Sequence, residues 1–213
     1  MSTERRTVLA IGAHHDDIEL GCGGTLAKFA REGHDVHVYI ATRSGYSDPS
    51  GRPVRGSEVA EQEAERAAKI LGVTLHSGDF AVFELAFAER LNTAVRVIVE
   101  RVMPDTVFTH AAGDVHNDHW ALARATMHAT RQVPRLAMYR SNWYRGSEPF
   151  CPTLYIDVSD TFEIKLAALR AYESEMARTG GAWAEYFTNE ARNNGLETGV
   201  RYAEGFQVVR WLS

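Results

Sequence analysis

Short apolar, β-branched runs alternate along this chain with amphipathic stretches, and that alternation constrains the fold more than any other feature. Strand patterns fall at 7–12, 35–42, 75–80, 106–110, 137–141, 154–158 and 207–211. Helical patterns fall at 23–32, 57–71, 84–102, 118–130 and 160–176. Strands interleaved with helices of this length build a mostly parallel sheet with helices on both faces. The expectation is an α/β, Rossmann-like, single domain over residues 1–213, a length sufficient for one substantial core.

Two of the strand-to-helix junctions carry chemistry. The first is GAHHDDIELGCGGT, residues 12–25, which follows the apolar run Thr7 to Ile11. His14, His15, Asp16 and Asp17 therefore stand at the carboxyl end of a buried strand, where open α/β sheets bind ligands. A packed fold has no structural need for two imidazoles and two carboxylates at such a place. A divalent metal such as zinc or ferrous iron does, because nitrogen and carboxylate donors suit it. The second junction follows Thr106 to His110 and contains Asp114, His116, Asn117, Asp118 and His119. His116 and His119 are three residues apart and share a face of a first helical turn. Asp118 is placed to hold an imidazole N–H from behind.

Other features exclude competing classes. Gly21-Cys22-Gly23-Gly24 lacks the spacing of a dinucleotide fingerprint, and the acidic residues before it would repel a pyrophosphate. A net charge of −5 gives no reason to expect nucleic acid or an anionic membrane as partner. The cysteines, Cys22 and Cys151, form neither a disulfide framework nor a thiolate zinc motif. No stretch approaches a membrane span, and the run after Arg5 and Arg6 is too short for a signal-peptide core, so a cytoplasmic location is expected. Residues 43–56, with Arg43, Arg52 and Arg55, read as a long surface loop, and such loops are usually functional. Residues 180–195, with Trp183, Tyr186 and Phe187, read as either a helix or a lid.

Taken together, His14-His15-Asp16-Asp17-Ile18-Glu19 with Gly21-Cys22-Gly23-Gly24-Thr25, and His116-Asn117-Asp118-His119, resemble the paired signature motifs of the LmbE-like, or PIG-L, family of metal-dependent N-deacetylases. Glu63 to Gly72, Tyr155 to Ser159 and Gly199 to Phe206 are similar to further family segments, so the likeness spans nearly the whole chain. The resemblance implies zinc, with ferrous iron as the alternative, held by His14, Asp17 and His119. It implies a metal-activated water with Asp16 as general base. It gives His116 the role of supporting the tetrahedral intermediate or protonating the leaving amine, with Asp118 orienting an imidazole. The implied substrate is a small N-acetylated amino sugar or its glycoside, and the implied assembly is a homo-oligomer. The non-sugar alternative is another N-acyl natural-product intermediate. The non-enzymatic one is a sugar- or nucleotide-binding α/β domain.

The chain departs from the family pattern in places. His15 stands where the family has proline and is expected to face the pocket mouth and substrate. Ala60 stands where the family carries a helix arginine, so Arg55 or Arg52 is expected to supply the charge from the loop instead, with Arg55 as the expected substrate contact. Tyr172-Glu173-Ser174-Glu175 replaces a His-x-Ser-Gln pattern. His110 reads as strand-end packing, and His34, His37, His76 and His128 as surface or packing residues.

Overall fold

The computed structural model describes residues 5–146 and 148–212. In chain order its elements are β1 (Thr7–Gly12), α1 (Asp17–Arg31), β2 (Asp35–Thr42), β3 (Tyr46–Ser47), β4 (Pro53–Arg55), α2 (Ser57–Leu71), β5 (Thr74–Phe80), α3 (Glu89–Val102), β6 (Thr106–His110), α4 (Asn117–Ala129), β7 (Arg135–Tyr139), β8 (Leu154–Asp157), α5 (Phe162–Arg170), α6 (Glu173–Thr179), α7 (Ala182–Thr198) and β9 (Ala203–Trp211). The main sheet has the order β5-β2-β1-β6-β7-β9-β8. β5, β2, β1, β6 and β7 are mutually parallel, and β9 runs antiparallel between β7 and β8. This is the expected mostly parallel α/β architecture.

The apolar strand runs are explained by burial on both sides. Along β1, Leu9 and Ile11 join a core with Val95 and Ile98 of α3 and Leu122 and Ala125 of α4. Val8 and Ala10 point the other way, into a core with Ile18, Leu26 and Phe29 of α1 and Phe108, Tyr139 and Phe206. Polar alternation is absent because neither face meets water. β1 pairs with β2 on one side and with β6 on the other. The chain thus leaves β1 in one direction across the sheet and returns on its opposite edge, and the crevice at such a switch point is where α/β sheets bind ligands. The loops after β1 and β6 both open into it.

Several boundaries differ from the sequence reading. α1 begins at Asp17, not at residue 23, so part of the first motif is helical. The glycine-rich segment, Gly21 to Gly24, lies inside this helix, at a kink where Cys22 has non-helical φ −147° and ψ 15°. Gly24 N–H, whose helical acceptor would be the Leu20 carbonyl, instead donates to Glu204 Oε1 (3.0 Å), and Thr25 N–H donates to Glu204 Oε2 (2.7 Å). The Leu20 carbonyl accepts from Lys165 Nζ (2.8 Å), and Lys165 Nζ also bonds Glu204 Oε1 at 2.6 Å. A buried ion pair from α5 and β9 therefore occupies both ends of a missing helical hydrogen bond. Gly21 is required by close approach, since a Cβ there would stand 2.1 Å from the Tyr139 ring.

The remaining differences are local. The 43–56 loop contains the β3–β4 hairpin. α3 starts at Glu89 rather than residue 84, and the single helix expected over 160–176 is two, α5 and α6. Residues 180–195 form most of α7. No helix among the described residues is long and apolar enough to cross a membrane.

Candidate metal centre

The loops after β1 and β6 bring His14, Asp17 and His119 together. His14 Nδ1 lies 3.2 Å from His119 Nε2 and 3.2 Å from Asp17 Oδ2, and His119 Nε2 lies 3.2 Å from Asp17 Oδ1. Two donors bound at about 2.0–2.1 Å to one tetrahedral ion stand roughly 3.3 Å apart, so the triangle has the size a zinc-type ion requires.

The far side of each imidazole is held by a carboxylate. His14 Nε2 donates to Asp118 Oδ2 (2.9 Å), and His119 Nδ1 donates to Asp114 Oδ2 (3.0 Å). Those bonds orient both rings and turn His14 Nδ1 and His119 Nε2 toward Asp17. Burial lowers the pKa of His119, but the Asp17 and Asp114 carboxylates outweigh it and raise it to about 10, so a metal bound there would take the place of a proton. Asp118 is itself anchored by the backbone N–H groups of Phe83 (2.7 Å) and Leu85 (3.2 Å). Asp114 accepts from Asn142 Nδ2 at 2.8 Å on both oxygens and from His116 N–H at 2.8 Å.

Two further histidines lie within ligand range. His116 groups with His14 and His119, and His110 groups with Asp17 and His119. Hydrogen bonding separates both from the ligand set. His110 Nε2 accepts the Ala13 N–H (2.9 Å), which consumes its lone pair. Its Nδ1–H then faces Ser141 Oγ (3.3 Å), whose hydroxyl donates to Asp17 Oδ1 (2.9 Å). His110 thus buttresses Asp17 through Ser141, a more specific position than strand-end packing. His116 caps α4: its Nδ1 accepts from Asp118 N–H (3.2 Å), leaving Nε2 as the protonated, donating nitrogen. Burial, with the neighbouring His119 and His14, lowers the pKa of His116 to about 4, and burial with His119 lowers that of His110 to about 4. Both are neutral at pH 7.

The carboxylates are split by their surroundings. Burial opposes the Asp17 charge, but His119 and His110 overcome it and hold the carboxyl well below its ordinary range. Asp16 goes the other way: burial and the adjacent Asp17 charge raise it well above the usual carboxylate value, against the pull of Arg55. Asp16 sits at φ 112°, a left-handed conformation rare outside glycine, and its side chain makes no capping bond to α1. A strained, uncapped, proton-accepting carboxylate beside the donor triangle is suited to acid–base work.

Of the two expected substrate contacts, Arg55 borders the metal-site cavity and His15 does not. The His15 side chain is 1% exposed, and the residue borders a separate cavity near Thr42, Ser57 and Gly78 rather than the metal pocket. Its N–H donates to Ser44 Oγ (2.8 Å). Arg55 reaches the floor of the pocket but is engaged, with Glu63 at 2.8 Å, Glu175 at 3.8 Å and the His15 carbonyl at 3.4 Å. It is a buried ion-pair partner of Glu63. The exposed Arg52 bonds only within its own turn, to Asp48 and Ser50.

The sequence reading missed Asp114, Ser141 and Phe83. Asp114 had a signal, since it lies in the second motif loop five residues before His119. Ser141 and Phe83 had none, because only folding carries the β7 and β5 exits to the site. The whole set opens on a cavity of about 820 Å³, whose outer wall includes Val82, Phe83, Val115, Tyr144 and Trp183.

A switch-point crevice in a mostly parallel α/β sheet, with His14, Asp17 and His119 close enough to share an ion and Asp16 beside them, defines an α/β protein with a candidate metal site. Residues 9–130 match the family described as PIG-L, GlcNAc-PI de-N-acetylase. The chain belongs to that family. It is 35% identical to the uncharacterized deacetylase YaiS of Escherichia coli K12, over 81% of this chain and 94% of that one. It is 29% identical to a diacetylchitobiose deacetylase of Thermococcus kodakarensis, over 96% of this chain and 83% of that one. The solved structure of the conserved protein TT1542 from Thermus thermophilus superposes with a TM-score of 0.83 at 28% identity, over 98% and 96% of the two chains. A 4-oxalmesaconate hydratase of Pseudomonas putida is also similar, at 24% identity over 98% of this chain and 91% of that one.

Proposed function

We propose that this protein is a zinc-dependent N-deacetylase that hydrolyses the acetamide of an amino sugar or amino-sugar glycoside. The observation that carries the reading is the donor triangle of His14, Asp17 and His119 with Asp16 beside it. Those three residues would hold the metal, which would supply a bound water of pKa about 7 and a Lewis acid for the amide carbonyl. Asp16 accepts the proton of the attacking water, and its raised pKa makes it a stronger base than a free carboxylate. His116 is neutral, with Nε2–H free to donate, so it hydrogen-bonds the developing oxyanion. As the C–N bond breaks, the proton gained by Asp16 passes to the leaving amine, which departs with its electron pair.

Deacetylation is favoured over hydration because the chain is more similar to the deacetylase relatives, at 29% and 35% identity, than to the hydratase, at 24%. The test is acetate release from a panel of N-acetylated amino sugars by zinc-loaded protein, read by mass spectrometry. Release that requires both metal and Asp16 is the expected result. No acetate from any member, with metal bound, overturns the proposal.

A further inference from the structure

Phe83 combines three observations that packing alone does not explain. It is a non-glycine residue at φ 68°, in the left-handed region. Its N–H donates to Asp118 Oδ2 at 2.7 Å, which ties that strained turn to the residue that orients His14. Its ring is 68% exposed, although a large apolar side chain in a strained turn gains nothing from facing water. One face of the ring is accounted for. It stacks on His116, with centroids 5.1 Å apart and planes 19° from parallel. His116 is flanked on another side by His119 at 4.6 Å and met edge-on by His14 at 4.7 Å.

The exposed remainder of Phe83 borders the same cavity as the donor triangle. Val115 and Tyr144, 57% and 64% exposed, line that cavity too, as does Trp183. The cavity, about 820 Å³, is at the upper end of the roughly 300–1,000 Å³ usual for small-molecule sites. An acetamide and one sugar ring would leave these apolar walls wet. Resting on the deacetylase reading, we propose that Phe83 is a specificity-determining residue and that the substrate carries an apolar group beyond the scissile amide. That group, an aryl or alkyl aglycone or a longer acyl chain, lies against Phe83, Val115 and Tyr144.

The test compares three probes on zinc-loaded wild type, Phe83→Ala and Phe83→Leu: the methyl glycoside of N-acetylglucosamine, its p-nitrophenyl glycoside, and the methyl glycoside of N-octanoylglucosamine. Wild type is expected to favour one of the two apolar probes over the small one by tenfold or more in kcat/KM, chiefly through KM. Which probe wins identifies the apolar source as aglycone or acyl chain. Phe83→Ala is expected to reduce that preference ratio to below threefold, and Phe83→Leu to restore part of it. A wild type without preference overturns the inference, as does a Phe83→Ala variant that slows all probes equally, since Phe83 would then only brace His116. If none of the probes is hydrolysed, the deacetylase reading fails. Calorimetric binding of p-nitrophenyl β-glucoside to wild type and Phe83→Ala then decides the inference separately, with unchanged affinity refuting it.

Discussion

Lys165→Met is expected to be among the most damaging single substitutions away from the metal centre. The Lys165 and Glu204 side chains are 2% and 3% exposed, and their charged atoms are 2.6 Å apart. Methionine keeps the length and apolar stem of lysine, so lost packing is not the main effect. Two groups are left unsatisfied. The Glu204 carboxylate keeps its bonds from Gly24 and Thr25 N–H but loses its counter-charge, and the Leu20 carbonyl loses its donor at the kink in α1. Removing one partner of a buried pair costs about 3–5 kcal/mol, a large share of the roughly 5–15 kcal/mol that holds a domain together. For a chain of this size, 1 kcal/mol moves Tm by about 2–4 °C, so the expected drop is about 6–20 °C. Urea unfolding of Lys165→Met, Glu204→Gln and the double variant supplies the cycle, and the double variant should cost less than the two singles summed by at least about 1 kcal/mol. A loss below about 1 kcal/mol in Lys165→Met, with an unchanged m-value, would refute the argument that the pair closes the helix break.

Metal content by mass spectrometry is expected to be about one divalent ion per chain, and His14→Ala or His119→Ala should empty the site, because too few donors remain; full occupancy in either variant sinks the ligand assignment. Asp16→Asn should retain metal and fold while losing about 100-fold or more in turnover, since the amide cannot take the proton; near wild-type turnover removes Asp16 as base. Arg55→Ala should lower Tm, because Glu63 and Glu175 lose a buried partner worth about 3–5 kcal/mol; an unchanged Tm would return Arg55 to a solvated role. Gly21→Ala should destabilise by about 1–3 kcal/mol through the Tyr139 ring, and a neutral result in thermal melts would mean that the ring moves aside freely.

The alternating strand and helix runs by themselves determined the architecture, because the 2.0 and 3.6 periodicities and the breaks between them are local properties of the chain. They also placed His14, Asp16, Asp17, His116 and His119 at strand-to-helix junctions, so the residues that the fold gathers into the candidate site were legible in the sequence. What only the tertiary structure decided is pairing across distance. The helical pattern reads only from residue 23, yet α1 starts at Asp17 and continues through GCGG since Lys165 and Glu204, far along the chain, satisfy the groups the kink exposes. His110 has the same imidazole as His119, and nothing local says that its Nε2 accepts the Ala13 N–H while both nitrogens of His119 face carboxylates, Asp114 on one side and Asp17 on the other. Arg55 and His15 read as substrate contacts because charge and position suggested it; only the fold pairs Arg55 with Glu63 and Glu175 at the cavity wall and sets His15 beside a neighbouring cavity. Hydrogen-bond partners at long sequence separation are set by how the sheet packs its loops, and a one-dimensional pattern carries no term for that.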